Sequence, residues 1–335
     1  MKKVSVIIPC YNGEKHLKKC WESLKMQTIG LKDLECIFVD DCSVDHTWNI
    51  LEEIRAEAPD TVRLVHSDEN LRQGGARNIG LTYASGEYVQ FLDQDDRLLP
   101  FACAELYQYA KKYRTDLIQF NYADEDGDPV EGRFCDKDGL YVAETVLDRK
   151  RLLASDILYC AHHNLFYKRT LILKADTRFP EKRLFEEPLF VYPLFFYATT
   201  FLVLHKGYYR MLRHPEGTTE TILGEHLGDH PVVQRMLYNF LRERGFTDIY
   251  REEIESYFVW TYYVETVLNA KNGGRLSLEE LRKMQKTVRT IYPHFMENPY
   301  LKGLEDRFIC VLETVNKSYE SMKELCTELD RSIKA

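Results

Sequence analysis

Val4-Ser5-Val6-Ile7-Ile8-Pro9-Cys10-Tyr11-Asn12-Gly13 begins as a strand and ends as a turn. Residues 4–8 form a continuous apolar run, which is the pattern of a strand with no face left to solvent. Pro9, Asn12 and Gly13 interrupt it, and Leu17, Cys20, Trp21 and Leu24 then recur at helical spacing. The chain therefore opens with one strand–helix unit.

The unit repeats outward from there. Residues 36–39 read as a second strand, followed by Asp45 as a helix cap before Ile50, Leu51, Ile54 and Ala58 on one helical face. Residues 62–65 give a third strand, and Ala76, Ile79, Gly80 and Tyr83 a helical stripe. A fourth strand, 88–92, runs into a cluster of acids. Cys103, Leu106, Tyr107 and Ala110 mark another helix before a strand over 116–122. Strands alternating with helices specify an α/β fold with a mostly parallel sheet flanked by helices. In such sheets ligands sit beyond the carboxyl ends of the strands, so the residues just after each strand matter most.

Past residue 122 the pattern weakens. Residues 124–138 are rich in Asp, Glu and Gly and read as a loop or exposed hairpin, a candidate lid. Pro215, Gly217 and Gly224 punctuate the chain again, and charged and aromatic stretches with helical periodicity follow. The expected division is an α/β domain over 1–215 and a mainly helical region over 216–335 open to partner or oligomer contacts. The aromatic run Tyr257-Phe258-Val259-Trp260-Thr261-Tyr262-Tyr263 in that region suits packing as well as a ligand platform.

Composition narrows the function. With 335 residues and 44% hydrophobic content the chain can bury a substantial core, and a net charge of −8 argues against a nucleic-acid partner. Nine cysteines are scattered from Cys10 to Cys326 without the close pairs of zinc or redox motifs, as expected of reduced thiols in a cytoplasmic protein. No signal-peptide pattern precedes the first strand. The most apolar stretch, 189–204, is broken by Pro193 and shorter than the roughly 20 residues of a spanning helix, so it reads as core. Peripheral contact with the inner face of a membrane and homo-oligomer formation are both compatible with the sequence.

Three acidic clusters fall where a ligand belongs. Asp40-Asp41-Cys42-Ser43-Val44-Asp45 after the second strand offers acceptors for a base or ribose, or alternatively a strand end and helix cap. Asp93-Gln94-Asp95-Asp96 after the fourth strand places alternating carboxylates that suit Mg²⁺ or Mn²⁺, or alternatively an acidic surface turn. Glu186-Glu187-Pro188 provides a carboxylate for proton abstraction if apolar neighbours raise its proton affinity, or simply the favoured first turn of a helix. Arg77, after Gly74-Gly75, is either a diphosphate contact or a solvated helix residue. His162 and His163, with Asn164, Lys168 and Arg169, either shape an acceptor pocket or are ordinary satisfied histidines.

Taken in order, Val4 to Asn12, then Val39 to Asp45, then Ala76-Arg77-Asn78-Ile79-Gly80, and Ser85-Gly86-Glu87-Tyr88 leading to Asp93-Gln94-Asp95-Asp96, resemble the family 2 glycosyltransferases, an inverting group with the GT-A fold. The resemblance is specific over about the first 100 residues and thins to about 210. It implies that Pro9, Tyr11 and Asp41 hold the uracil of a UDP-sugar. It further implies that Asp93 and Asp95 hold Mn²⁺ or Mg²⁺ with the donor's ribose and diphosphate, and that Glu187 is the base, preceded by Glu186. Arg77 joins the donor side, and His162 and His163 the acceptor side. The implied reaction is a single displacement with inversion, onto a glycan or polysaccharide precursor. Two positions depart from the family: Glu187 stands where Asp is usual, and Cys42 where Gly or another small residue is usual. A nucleotidyltransferase would need a glycine-rich basic loop, which residues 9–15 lack; a non-catalytic nucleotide-sugar binder draws its support from Glu187.

Overall fold

An apolar run with no polar face has to be covered on both sides, and strand β1 (Val4–Cys10) is buried along its whole length. The computed structural model of the protein describes residues 2–124, 126–130, 137–155, 157–212, 226–271, 276–302 and 304–317. Helix α1 (Leu17–Lys25) follows, with Leu17, Cys20, Trp21 and Leu24 facing the core as their spacing requires. Strand β2 (Leu34–Asp40) pairs parallel with β1, and after helix α2 (Thr47–Glu57) strand β3 (Val62–His66) pairs parallel with β2. Asp45 accepts the Thr47 N–H ahead of α2, so it does tie down that helix start.

Helix α3 (Arg72–Tyr83) then crosses the sheet to β4 (Tyr88–Phe91), on the far flank of β1. Gly80 makes this crossing close: a Cβ there would stand 2.4 Å from Ile7 Cγ2. The order β3-β2-β1-β4 reverses direction of growth between β1 and β4, and such a switch point opens a crevice at the carboxyl ends of the strands. Pairing of β1 with β4 ends at Ile7 opposite Phe91, closed by the Leu92 N–H on the Ile7 carbonyl (3.0 Å), whereas pairing with β2 continues to Cys10 opposite Asp40. Pro9, which has no N–H to give, lies past the last β4 partner and costs the ladder nothing.

Beyond β4 the sheet becomes mixed. Strand β8 (Leu165–Lys168) runs antiparallel between β4 and β6 (Leu117–Tyr122), and β6 is parallel to β9 (Thr200–Arg210). Short strands β5 (Arg97–Leu98) and β7 (Gly139–Val142) pair antiparallel with β9. Helix α4 (Ala102–Tyr113) precedes β6, α5 (Val146–Leu153) follows β7, and α6 (Arg169–Ala175) follows β8. The apolar stretch 189–204 is core, divided between helix α7 (Glu187–Tyr197) and β9, with residues 189–196 all buried. No helix among the described residues is long and apolar enough to cross a membrane. In the candidate lid, Ala123 and Pro129 form an antiparallel bridge; residues 125 and 131–136 lie outside the described residues.

The chain divides into two compact units, Met1–Leu212 and Arg213–Ala335. Described helices of the second unit are Asp229–Glu243, Phe246–Ile249, Arg251–Val259, Thr266–Lys271, Leu278–Ile291 and Asp306–Glu313, with a π-helical turn at Trp260–Glu265. Phe258, Tyr262 and Tyr263 of the aromatic run sit in this unit's core against Met284, Val288 and Tyr292, so the run packs rather than forming a platform. Pro215, Gly217, Gly224, Cys135, Cys326 and the tail from 318 lie outside the described residues. The seven described cysteines are free.

Candidate active site at the β1 and β4 crevice

The loops after β1 and β2 are laced together. The Asn12 N–H donates to Ser43 Oγ (3.0 Å), the Val44 N–H to Asn12 Oδ1 (3.0 Å) and the Gly13 N–H to Thr47 Oγ1 (2.7 Å). Gln94 reaches from the acidic turn to both the N–H and the carbonyl of Tyr11. These bonds fix the loops while leaving the Tyr11 ring 45% exposed. Asp40 is occupied by His66 Nδ1 (2.8 Å) and the Ser43 N–H. Asp41 is buried and accepts the Leu71 N–H (2.8 Å); burial pushes its carboxyl above the usual range against the pull of the Leu71 and Arg72 N–H groups. Asn12, Cys42 and Phe185 in loops at this edge, and Arg72 at the start of α3, have φ of 48°, 62°, 57° and 60°. A side chain in that left-handed region is strained, which explains why Gly suits position 42 and what Cys42 costs.

Arg77 occupies the middle of α3 with no exposed surface, so the solvated alternative does not hold. Its guanidinium donates to Glu186 Oε1 (2.5 Å) and Asp93 Oδ1 (2.8 Å) and lies over the Phe179 ring. Gly74, one turn earlier, makes room: a Cβ there would meet the Pro180 carbonyl at 2.6 Å and Glu186 Cγ at 3.3 Å. Burial opposes ionisation of Asp93, but the Arg77 charge and the neighbouring imidazoles overcome it and hold the carboxyl far below the usual range.

Glu187, the first residue of α7, faces the other way. Its Oε1 accepts from the His162 backbone N–H (3.1 Å) and lies 2.5 Å from His162 Nδ1 and 3.9 Å from His163 Nδ1. The far nitrogen of His162 stands 3.7 Å from Asp93 Oδ1. One imidazole thus bridges the two carboxylates. Burial and Arg77 push the His162 pKa down, but its contacts with Asp93 and Glu187 raise it overall. His163, whose Nε2 meets the Tyr122 hydroxyl, is pushed by burial down to about 3 and stays neutral. Burial would raise Glu187 as well, yet His162 holds it down at about 2. The expectation that apolar neighbours lift its proton affinity is therefore reversed, because a cationic partner outweighs desolvation.

The acidic turn separates its members. Asp96 is buried, accepting the Tyr209 hydroxyl (2.6 Å) and the Leu212 N–H (2.7 Å); burial and the charges of Asp93 and Asp95 raise its pKa to about 8. Asp95 is half-buried in the same turn. The structure therefore brings Arg77, Asp93, His162, His163, Glu186 and Glu187 into one network, with Asp95 beside it, Pro9 near the end of β1, and Tyr11 and Asp41 on the adjoining loops. Sequence reasoning missed Tyr122, Gln94 and Tyr209. Only Gln94 and Asp96, next to the alternating acids, carried a local signal.

Residues 5–174, half of the chain, match the family described as Glycosyl transferase family 2. The chain is 29% identical over 279 residues to the GalNAc(5)-diNAcBac-PP-undecaprenol beta-1,3-glucosyltransferase of Campylobacter jejuni subsp. jejuni serotype O:2, covering 81% of this chain and 85% of that protein. It is 28% identical over 244 residues to the poly(ribitol-phosphate) beta-N-acetylglucosaminyltransferase TarS of Staphylococcus aureus (strain MW2), covering 72% of this chain and 40% of TarS. Among solved structures, S. aureus TarS 1-349 in complex with UDP-GlcNAc superposes with a TM-score of 0.68 at 20% identity, over 99% of this chain and 89% of that one, which shows the fold.

Arg77→Met will leave Asp93 and Glu186 without their cation, and urea unfolding should show a loss of about 3–5 kcal/mol. Because Asp96 keeps its proton up to about pH 8 when folded but loses it near 3.8 when unfolded, stability falls as pH rises through that window. Asp96→Asn lacks this loss, so its stability relative to the parent should climb by on the order of 2 kcal/mol between pH 4 and 8 in paired denaturation series.

Proposed function

This chain belongs to glycosyl transferase family 2, and on that premise we propose that it moves a sugar from a UDP-linked donor to an acceptor hydroxyl of a cell-surface polysaccharide or lipid-linked glycan. The observation that carries the reading is the bridge at the crevice: Asp93 and Glu187 are held on opposite nitrogens of His162, at 3.7 and 2.5 Å. A donor-side carboxylate and a candidate base thereby face one small space. The relatives, a poly(ribitol-phosphate) beta-N-acetylglucosaminyltransferase and a GalNAc(5)-diNAcBac-PP-undecaprenol beta-1,3-glucosyltransferase, and the UDP-GlcNAc complex of TarS support the donor and acceptor classes.

The residues divide the work as follows. Tyr11 offers an exposed ring beside the buried Asp41 carboxylate, a stacking face and an acceptor for a uracil N–H. Asp93, fixed by Arg77, faces the ribose and diphosphate, so Arg77 serves the donor through Asp93 rather than by direct contact. The donor set fits a divalent ion: Asp93 and Glu186 share the guanidinium of Arg77, Glu187 meets His162, and Asp95 stands in the same turn as Asp93, an oxygen-rich set. When bound at Asp93 and Asp95, Mn²⁺ or Mg²⁺ would offset charge on the departing diphosphate.

Glu186 is neutralised by Arg77 and nearly buried, so the base is Glu187, oriented by His162. The acceptor hydroxyl gives its proton to Glu187 while its oxygen bonds the anomeric carbon. The bond from that carbon to the diphosphate oxygen breaks on the opposite face, and configuration inverts. A carboxylate held at low proton affinity by a cation accepts this proton best once His162 is neutral. We place the reaction in the cytoplasm, with a membrane-linked acceptor presented at the inner face.

The test is UDP release from a panel of UDP-sugars with glycan and polyol-phosphate acceptors, in Mn²⁺, Mg²⁺ or chelator. Glu187→Gln should lower kcat by at least ~100-fold with donor KM kept, Asp41→Ala should raise donor KM about tenfold, and Asp95→Asn should abolish the metal response. Full transfer by Glu187→Gln would move the base elsewhere, with Glu186 next; donor that binds and is never consumed would point to a binding protein instead.

A further inference from the structure

Two buried ring nitrogens at the crevice have no hydrogen-bond partner: His162 Nε2 and His163 Nδ1. The opposite nitrogen of each ring is engaged, His162 Nδ1 with Glu187 at 2.5 Å and His163 Nε2 with the Tyr122 hydroxyl. A neutral imidazole carries one N–H and one lone pair, so His163, giving its N–H to the Tyr122 oxygen, turns its lone pair to the unpartnered side, and His162 does the same toward Glu187 once an incoming cation displaces its second proton. A buried polar atom left unsatisfied costs roughly 1–3 kcal/mol, and two side by side call for an explanation. They converge with a carboxylate: the ligand atoms of Asp93, His162 and His163 lie within 4.8 Å of one another. An imidazole whose second nitrogen is held by a carboxylate or hydroxyl is also the arrangement that orients histidines toward metals.

We propose that Asp93, His162 and His163 form a divalent transition-metal site in the nucleotide-free protein. With His162 neutral, the carboxylates Asp93, Glu186 and Glu187 face the single cation of Arg77, which supplies the electrostatic preference for a dication. Two nitrogen donors to one oxygen favour Mn²⁺, Co²⁺ or Zn²⁺ over Mg²⁺, which prefers all-oxygen octahedral surroundings. Ligands sharing bonds of about 2.0–2.1 Å to a tetrahedral ion stand roughly 3.3 Å apart. Occupancy therefore draws the three side chains inward by small rotations. The inference stands independently of the donor reading, since it concerns the ion alone and the site exists before any sugar nucleotide arrives.

The test is titration of the full, nucleotide-free chain with Co²⁺, followed by its visible absorption, with Mn²⁺ and Mg²⁺ as competitors. One saturable Co²⁺ site is expected, displaced by Mn²⁺ and resistant to millimolar Mg²⁺. His162→Asn and His163→Gln should each weaken Co²⁺ at least tenfold, with circular dichroism melts confirming that each variant is folded. If the histidine variants fail to fold, His163→Cys replaces the nitrogen with a thiolate and should add a sulfur-to-cobalt charge-transfer band. Absence of saturable Co²⁺ binding, equal competition by Mg²⁺, binding unchanged in the folded histidine variants, or no charge-transfer band from His163→Cys would each overturn the assignment.

Discussion

A guanidinium with none of its surface in water cannot go unpaired, and the candidate site is arranged around the one on Arg77. Its two carboxylate partners come from the end of β4 and the start of α7, separated from it in sequence by 16 and 109 residues. The ion triad therefore pins three elements that the sheet alone would leave independent. Such a buried arrangement adds little net stability against an apolar replacement of the same shape. Its effect is positional: Asp93 is held at the crevice, Glu186 is neutralised, and Glu187 is left to His162.

That division sets the proton affinities. Two aspartates three residues apart are driven in opposite directions, Asp93 far below the usual range beside Arg77 and Asp96 up to about 8 in its buried niche. Environments that push like groups apart are how a site assigns charged and neutral roles at one pH. His162 completes the pattern by standing between Asp93 and Glu187, so that a change of charge at Asp93 is felt at Glu187 through one ring.

Much of this was legible in the sequence where local chemistry suffices. The runs at 4–8, 36–39 and 88–92 are strands buried along their length, where parallel pairing leaves no polar alternation, whereas 62–65 at the sheet edge keeps Arg63 exposed; the acids after β2 and β4 fall at the crevice because strand ends do. Strands β5 and β7 escaped because two and four residues carry too little periodicity, and β9 because it continues an apolar stretch that begins as α7. Partners distant in sequence were beyond local reading. Arg77 gives no local sign that Glu186 will meet it, and nothing beside His162 and His163 in sequence shows that they face Asp93 and Glu187. Cys42 was visible as a departure, and the left-handed backbone at that position supplies its physical meaning.

The central claim is that the crevice between β1 and β4 takes a uridine diphosphate with a metal ion. Calorimetric titration of the protein with UDP, GDP and CDP, each with and without Mn²⁺, addresses it most directly. Saturable binding of UDP that strengthens with Mn²⁺ and exceeds that of GDP and CDP by at least tenfold is the expected result. Equal binding of all three, or of none, would contradict the roles given to Tyr11, Asp41, Asp93 and Asp95 and leave the fold without its donor.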